Sequence, residues 1–407
     1  MTREQKITLT SLIITIGFVV SAFYHYAAGM YGNLAYPYNT FLFGPTDRFM
    51  DFVWPFNISA NPYLVARPDF QNFPALYRLA SLFALLPLPI ALILFMLLFV
   101  FGFFRICQSQ LKVADRLVSF QNAFIFTFLA YPFLFALDRE NFEIVAFFCL
   151  FFFVFWYRKN PLLSAILLGV AIALKGFPVI LAILLFSDRR FKEILIAAGV
   201  ALGTTFLSYI SYPGGLVVNI TNHLRNLSLY NAFYATKMAG LSFGNSLFGA
   251  IKFIGLLFHP GWVQTGTPQG LVTAYTIIIL IVLALLSLYV IFIEKDFWKK
   301  VTLLVCALNL FPLVSGDYKL LHLFIPLFLF INETAQKKSD RLILVLFALL
   351  LIPKDYFHLP ILPETSISIL LNPLLMLTLM AVLIVNRLKP ASLTGDGPNL
   401  AQSPAGN

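Results

Sequence analysis

The sequence predicts an all-α, polytopic bundle of about 11–13 membrane helices, at roughly 20 apolar residues per crossing, with a structured first loop on the outer side. Three observations predict it. Of the 407 residues, 60% are hydrophobic and 11% charged, less than half of the roughly 25% charge of an ordinary soluble domain. Apolar runs of crossing length recur from one end to the other. Lys and Arg gather in alternate connections between those runs, as they do in short cytoplasmic loops. This excludes a soluble enzyme, a nucleic-acid binder and a disordered protein as readings of the whole chain. The net charge of +10 then reflects orientation in a membrane rather than affinity for nucleic acid.

The elements follow in order. The run 7–27 comes after Arg3 and Lys6. It is long enough to span and lacks a small-residue cleavage site, so it reads as the first crossing and not as a signal peptide. Further runs lie at 79–104, 117–137, 141–157, 193–212, 271–293, 299–315, 318–332, 341–353 and 367–386. The stretch 161–186 is different, because Lys175, Gly176 and Pro178 interrupt it and basic clusters flank both ends (Arg158/Lys159 and Arg189/Arg190/Lys192). A single crossing would put one cluster outside. Two shorter helices, 161–174 and 177–187, keep both inside and place Lys175 at the apex of a hairpin. With both termini inside, 18 of the 28 basic residues fall in cytoplasmic segments.

Two long outer loops remain, Ala28–Tyr77 and Tyr212–Gly270. The second contains an apolar piece, 244–258, of re-entrant or interfacial character. Long structured loops usually carry function. Residues 1–390 read as one domain, and the Ser-, Gly-, Pro- and Asn-rich tail 391–407 as disordered. The three cysteines and five histidines are scattered, without metal-ligand spacing. No phosphate-binding Gly loop, His-Glu-x-x-His or Gly-x-Ser-x-Gly is present.

An ionisable group in the apolar zone is expensive and marks a candidate site. Arg139, Lys175 and Lys319 each occupy a short outer connection between apolar helices, where orientation gives no reason for them. Arg139 belongs to Asp138-Arg139-Glu140-Asn141, just before Glu143. That turn reads either as a solvated helix cap or as a polar cluster facing a cavity. Lys175 either snorkels to the interface or lines a cavity at a broken helix. Lys319 follows Asp317 and Tyr318, and shares a helical face with His322 at i+3. An Asp317–Lys319 pair and a satisfied histidine are the plainer readings there. Outward-facing basic groups at helix ends suit a phosphate or diphosphate carried on a lipid. The first loop supplies acids, Asp47, Asp51 and Asp69. Asp51, set among aromatics in Arg48-Phe49-Met50-Asp51-Phe52, suits a general base, although an ordinary surface Asp is the alternative for all three.

Taken in order, four places resemble a family 87 glycosyltransferase of the GT-C superfamily, which includes polyprenol-phosphate-mannose-dependent mannosyltransferases. They are Asp51-Phe52 with Asn61-Pro62-Tyr63 and Phe73-Pro74, then Asp138-Arg139-Glu140-Asn141-Phe142, then Lys175-Gly176-Phe177-Pro178, then Asp317-Tyr318-Lys319-Leu320-Leu321-His322 with Pro326. The likeness runs over residues 5–390. Two departures stand out. The family often has Gly where Glu140 stands, and Tyr-Pro-Pro where this chain has Asn72-Phe73-Pro74.

The resemblance implies a GT-C type bundle and a membrane glycosyltransferase. A hexose such as mannose would pass by inverting displacement from a polyprenyl-phosphate donor to a lipid or glycan acceptor. It implies Asp51 as base, with Asp47 and Asp69 next, and Arg139, Lys175, Lys319 and His322 on the donor phosphate. Asn141, Asp317 and Tyr318 are further candidates. No cofactor or metal is required by that scheme, and no nucleic-acid partner. The setting implied is a bacterial inner membrane with the site facing outward, among membrane lipids. A transporter or flippase of lipid-linked sugars is the rival, and it predicts an inverted repeat with charges near the midplane.

Overall fold

The computed structural model describes residues 1–64 and 66–388. The expected tail 391–407 lies outside the described residues. Helix α1 (Arg3–Met30) opens with a capping box, in which Thr2 Oγ accepts from the Gln5 N–H and the Gln5 side chain accepts from the Thr2 N–H. The first long loop holds α2 (Met50–Ile58). The expected run 79–104 divides at Pro87 into α3 (Pro74–Phe83) and α4 (Leu88–Gln110). The run 117–137 likewise becomes α5 (Arg116–Phe128) and α6 (Tyr131–Arg139), bent by 52° where Pro132 enters α6. Next come α7 (Glu143–Phe155) and α8 (Pro161–Lys175), a 3-10 segment Phe177–Leu181, then α9 (Ala182–Ser187) and α10 (Phe191–Ile210). The second long loop contains α11 (Gly215–Tyr230), a π-helical turn Asn231–Thr236, α12 (Leu247–Phe258) over the apolar piece, and α13 (Trp262–Thr265). Then follow α14 (Gln269–Phe292), α15 (Phe297–Leu310), a 3-10 segment Asp317–Leu323, α16 (Phe324–Ile331), α17 (Asp340–Leu350) and α18 (Ser368–Leu388).

Five helices, α1, α4, α10, α14 and α18, are long and apolar enough to cross a membrane alone, and the bent α5–α6 pair makes six. The expected count of about 11–13 is reached only if the shorter helices also traverse, at roughly 20 residues per crossing. At 1.5 Å per residue, the 15 residues of α8 cover about 22 Å, short of a full hydrocarbon core. Their position explains how short helices survive in such a protein. In α15 every residue from Trp298 to Leu310 is buried, whereas only 17% of the apolar window of α10 or α14 is. The short helices form the inside and the long, all-round apolar ones the rim. Helix ends inside the apolar zone are tolerable when protein covers them.

Polar contacts separate the two ends of the bundle. Tyr157 Oη donates to Leu184 O at 2.8 Å, and the Arg190 guanidinium donates to Tyr157 O. The chain after Lys175 therefore returns to the level at which α8 began, as the hairpin expectation required. Arg3 bonds Asn332 Oδ1 at 2.7 Å and the Lys112 carbonyl, while Lys337 meets Asp296 and Lys300 meets Asp188. These basic clusters share one end. The two long loops share the other, where they are zipped together. Asn222 donates to Tyr63 O, Asn226 donates to Phe70 O and accepts from the Arg67 N–H, and His223 Nε2 donates to Gln71 O.

Candidate active site

A cavity of about 500 Å³ opens at the end that carries the long loops. Its wall is built from the first loop, the α6–α7 turn, the Lys175 apex, the Tyr230–Tyr234 stretch and the turn at Ser315–Tyr318.

The α6–α7 turn starts from one backbone choice. Glu140 adopts a left-handed conformation (φ 48°) and returns its N–H to α6 carbonyls, which ends the helix. Asn141 Oδ1 then accepts from the Glu143 N–H at 2.8 Å and starts α7. The first loop docks on this turn, with Phe49 N–H donating to Asp138 O at 2.9 Å and Phe43 N–H to Asp138 Oδ2 at 3.1 Å. The turn is buried, so the solvated-cap reading of it gives way. Phe49, also left-handed (φ 60°), opens α2 and sets Asp51 in its first turn, where the helix dipole favours an anion.

Asp51 is held from three directions. Its Oδ1 accepts from Arg139 Nη2 at 2.6 Å, and its Oδ2 accepts from Arg139 Nε at 3.2 Å and from Asn141 Nδ2 at 2.6 Å. Arg139 Nη1 donates to the Asp47 carbonyl at 2.6 Å, and the guanidinium lies 4.1 Å over the Phe43 ring. Asp47 and Asp69 also line the cavity. Asp69 accepts from Tyr234 Oη at 2.9 Å. Burial and the neighbouring acid raise the Tyr234 phenol well above its ordinary range, so it stays a donor. Tyr234 rides on the π-helical turn, a rare conformation common at functional sites. The buried Lys252 ammonium clamps that turn by donating to the carbonyls of Tyr234, Ala235 and Lys237.

Lys175 is the last residue of α8, and Gly176 turns the chain at φ 71°. A Cβ there would stand 2.7 Å from the Phe73 ring, so glycine is needed for both conformation and space. The turn leaves Lys175 Nζ 3.4 Å from Asn141 Oδ1 and 3.8 Å from Glu143 Oε2. Glu143 is fully buried and meets His322 Nε2 at 2.6 Å through Oε1. Lys319 lies buried beside this group, its Nζ 4.4 Å over the Phe177 ring.

The structure therefore divides the four expected phosphate ligands. Arg139 and Lys175 line the cavity, whereas Lys319 and His322 sit behind its wall. Their 3-10 segment puts i and i+3 on one face, and that face is turned to Glu143. Asp317 is also behind the wall. It accepts from Tyr131 Oη at 2.8 Å and Asn372 Nδ2 at 3.1 Å, which replaces the expected Asp317–Lys319 pair. Tyr318 lines the cavity. Among the described residues no three His, Cys, Asp or Glu side chains converge as metal ligands. Glu143, Tyr234 and Lys252 are the residues that sequence reasoning passed over. Glu143 carried a signal, an acid four residues beyond Arg139 in an otherwise apolar run. Lys252 carried one too, a lone cation inside the apolar piece 244–258, whereas Tyr234 carried none.

Residues 70–316 match the model of Glycosyltransferase family 87. The chain belongs to that family. No curated protein and no solved structure matches it. As a family 87 glycosyltransferase with apolar membrane helices, the protein takes a sugar donor and an acceptor, and the transporter reading gives way. The matched stretch includes Arg139, Asn141, Glu143 and Lys175. Asp51 precedes it and Asp317–His322 follow it.

Glu140 explains one departure from the family pattern. Both of its carboxylate oxygens are buried without a partner among the described residues, and burial pushes the group up to about 8. Its left-handed backbone is the conformation that Gly adopts most easily.

Proposed function

We propose that this glycosyltransferase moves a hexose such as mannose from a polyprenyl phosphate to a lipid or glycan acceptor, with inversion, on the outer face of a bacterial inner membrane. The observation that carries the reading is the convergence of Asp51, Arg139 and Lys175 on one cavity, at the end opposite the basic clusters that orient membrane proteins. Asp51 takes the proton of the acceptor hydroxyl. That oxygen attacks the anomeric carbon, the bond from that carbon to the phosphate oxygen breaks, and polyprenyl phosphate leaves from the opposite face with the electron pair. Lys175 and Arg139 stabilise the growing charge on the phosphate. Lys319 and His322 act from behind the wall, where two lysines face the single carboxylate of Glu143 and leave positive potential at the Lys175 end. Trp54, Tyr230 and Phe233 line the cavity and offer flat apolar faces beside a few polar groups, as sugar and small-molecule sites do.

The test is transfer by the purified protein, given a panel of polyprenyl-phosphate sugars and a membrane lipid extract, with products read by mass spectrometry. A glycosylated lipid from one donor supports the reading. Transfer only from nucleotide sugars overturns it.

A further inference from the structure

Two roles assigned to the cavity compete for one side chain. Arg139 is needed by Asp51 and by the leaving phosphate. The Nε/Nη2 edge of its guanidinium is occupied by the two oxygens of Asp51, and Nη1 donates to the Asp47 carbonyl. One face is covered by Phe43. A phosphate takes its strongest hold on arginine through two parallel N–H bonds, and here it must compete with Asp51 for the Nε/Nη2 edge and with the Asp47 carbonyl for Nη1. The carboxylate is in the same position. Of about four acceptor sites on a carboxylate, three on Asp51 are filled by Arg139 and Asn141.

Asn141 lies between the two centres. Its Nδ2 donates to Asp51 at 2.6 Å and its Oδ1 faces Lys175 Nζ at 3.4 Å. Among the described residues Lys175 is held only at 3.4 and 3.8 Å, looser than a charge-assisted bond of about 2.7–2.9 Å. A phosphate that settles on Lys175 is thus one side chain away from the Asp51–Arg139 pair. Both members of that pair reach the cavity, with side chains 25% and 13% exposed.

We infer that Arg139 is an exchangeable positioning residue, which holds Asp51 until a phosphate-bearing donor draws its guanidinium away and so releases the base for the acceptor hydroxyl. The inference rests on the donor reading above. It makes the base available only beside a bound donor, which also limits loss of the sugar to water.

The experiment measures binding of farnesyl monophosphate, with farnesol as the control, to the full-length protein in detergent. Four forms are compared, namely wild type, Asp51→Asn, Arg139→Gln and the double variant. Competition for Arg139 predicts that Asp51→Asn binds the phosphate about 5- to 10-fold more tightly than wild type, an ordinary size for coupling between sites. The gain disappears in the Arg139→Gln background. If Asp51 acts only by repelling the phosphate, the gain persists in that background and the inference falls. It falls equally if Asp51→Asn binds no better than wild type. Should Asp51→Asn not fold, as judged by its thermal midpoint, Asp51→Ala replaces it in the same cycle. If wild type does not distinguish farnesyl monophosphate from farnesol, the donor reading itself fails. If it does distinguish them and the cycle shows no coupling, only the exchange fails.

Discussion

The cavity wall and the space behind it each hold a cluster of opposite charges, and the two differ in access. Asp51 and Arg139 pair at 2.6 Å on the wall, partly exposed. Glu143 and His322 pair at the same distance behind it, with no exposure at all. Contacts of equal length have unequal meaning. A pair at a wall can change partners when a ligand arrives, because water or ligand can solvate whichever group is set free. A pair with no access has nothing else to turn to, and breaking it strands a charge. On the proposed reading, the wall pair is the one placed for chemistry and the inner cluster the one that holds it in position.

That contrast can be broken most sharply at Asp51. Asp51→Asn should lower transfer by about 10²- to 10⁴-fold while leaving the thermal midpoint of the detergent-solubilised protein nearly unchanged. A near-normal turnover number would remove Asp51 from the role of base and direct attention to Asp69, which lines the same cavity. Glu143→Ala reverses the pattern. It leaves Lys175, Lys319 and His322 without their shared acid, and should cost about 3–5 kcal/mol of stability, read as a large fall in midpoint before any assay is run. A midpoint like that of wild type would mean that the inner cluster is not scaffolding.

Gly176 sharpens the boundary between the regions, because it sets where Lys175 stands. Gly176→Ala meets a positive φ and a Phe73 atom at 2.7 Å. A residue with a Cβ is strained at that positive φ, and the turn should shift enough to raise the KM for donor more than it lowers kcat. Equal effects on both constants would mean that Lys175 does not hold the donor in its ground state.

The smallest expected effect on transfer is at Glu140, a buried acid with no partner among the described residues. Burial raises its carboxyl from an ordinary 4.5 to about 8, so the native protein holds this proton more tightly than the unfolded chain does. Its presence therefore costs stability as pH rises from about 4.5 to about 8. Glu140→Gln should raise the thermal midpoint at pH 8 and change it little at pH 4. A midpoint gain of the same size at both pH values would refute the assignment.

What was legible in the sequence is what local rules control. The hairpin at Lys175 follows from two flanking basic clusters and a Gly/Pro break, and Tyr157 with Arg190 closes it in the structure. The shared face of Lys319 and His322 follows from their spacing. Which neighbour that face meets does not, because Glu143 lies 179 residues from His322. The same distance problem hides the Asp51–Arg139 contact, 88 residues apart. Each residue could be named alone, yet their pairing is a property of how the loops dock. Apolar runs could be found but not graded. Nothing in 299–315 taken alone says that α15 is enclosed by protein while α14 is bare on its flanks. The family match corroborates the class of chemistry and, beginning at residue 70, does not reach α2.

The 52° bend between α5 and α6 acts as a depth gauge. A straight rod from Arg116 would carry Arg139 about 35 Å along its axis, beyond the far edge of a hydrocarbon layer about 30 Å thick. Folding the last nine residues aside makes them an arm about 13 Å long, of which roughly 10 Å runs across the bundle by the geometry of that angle. Pro132 therefore decides how far out the cation stands and toward which wall it leans. Straightening that joint would move the charge without changing a single atom of it.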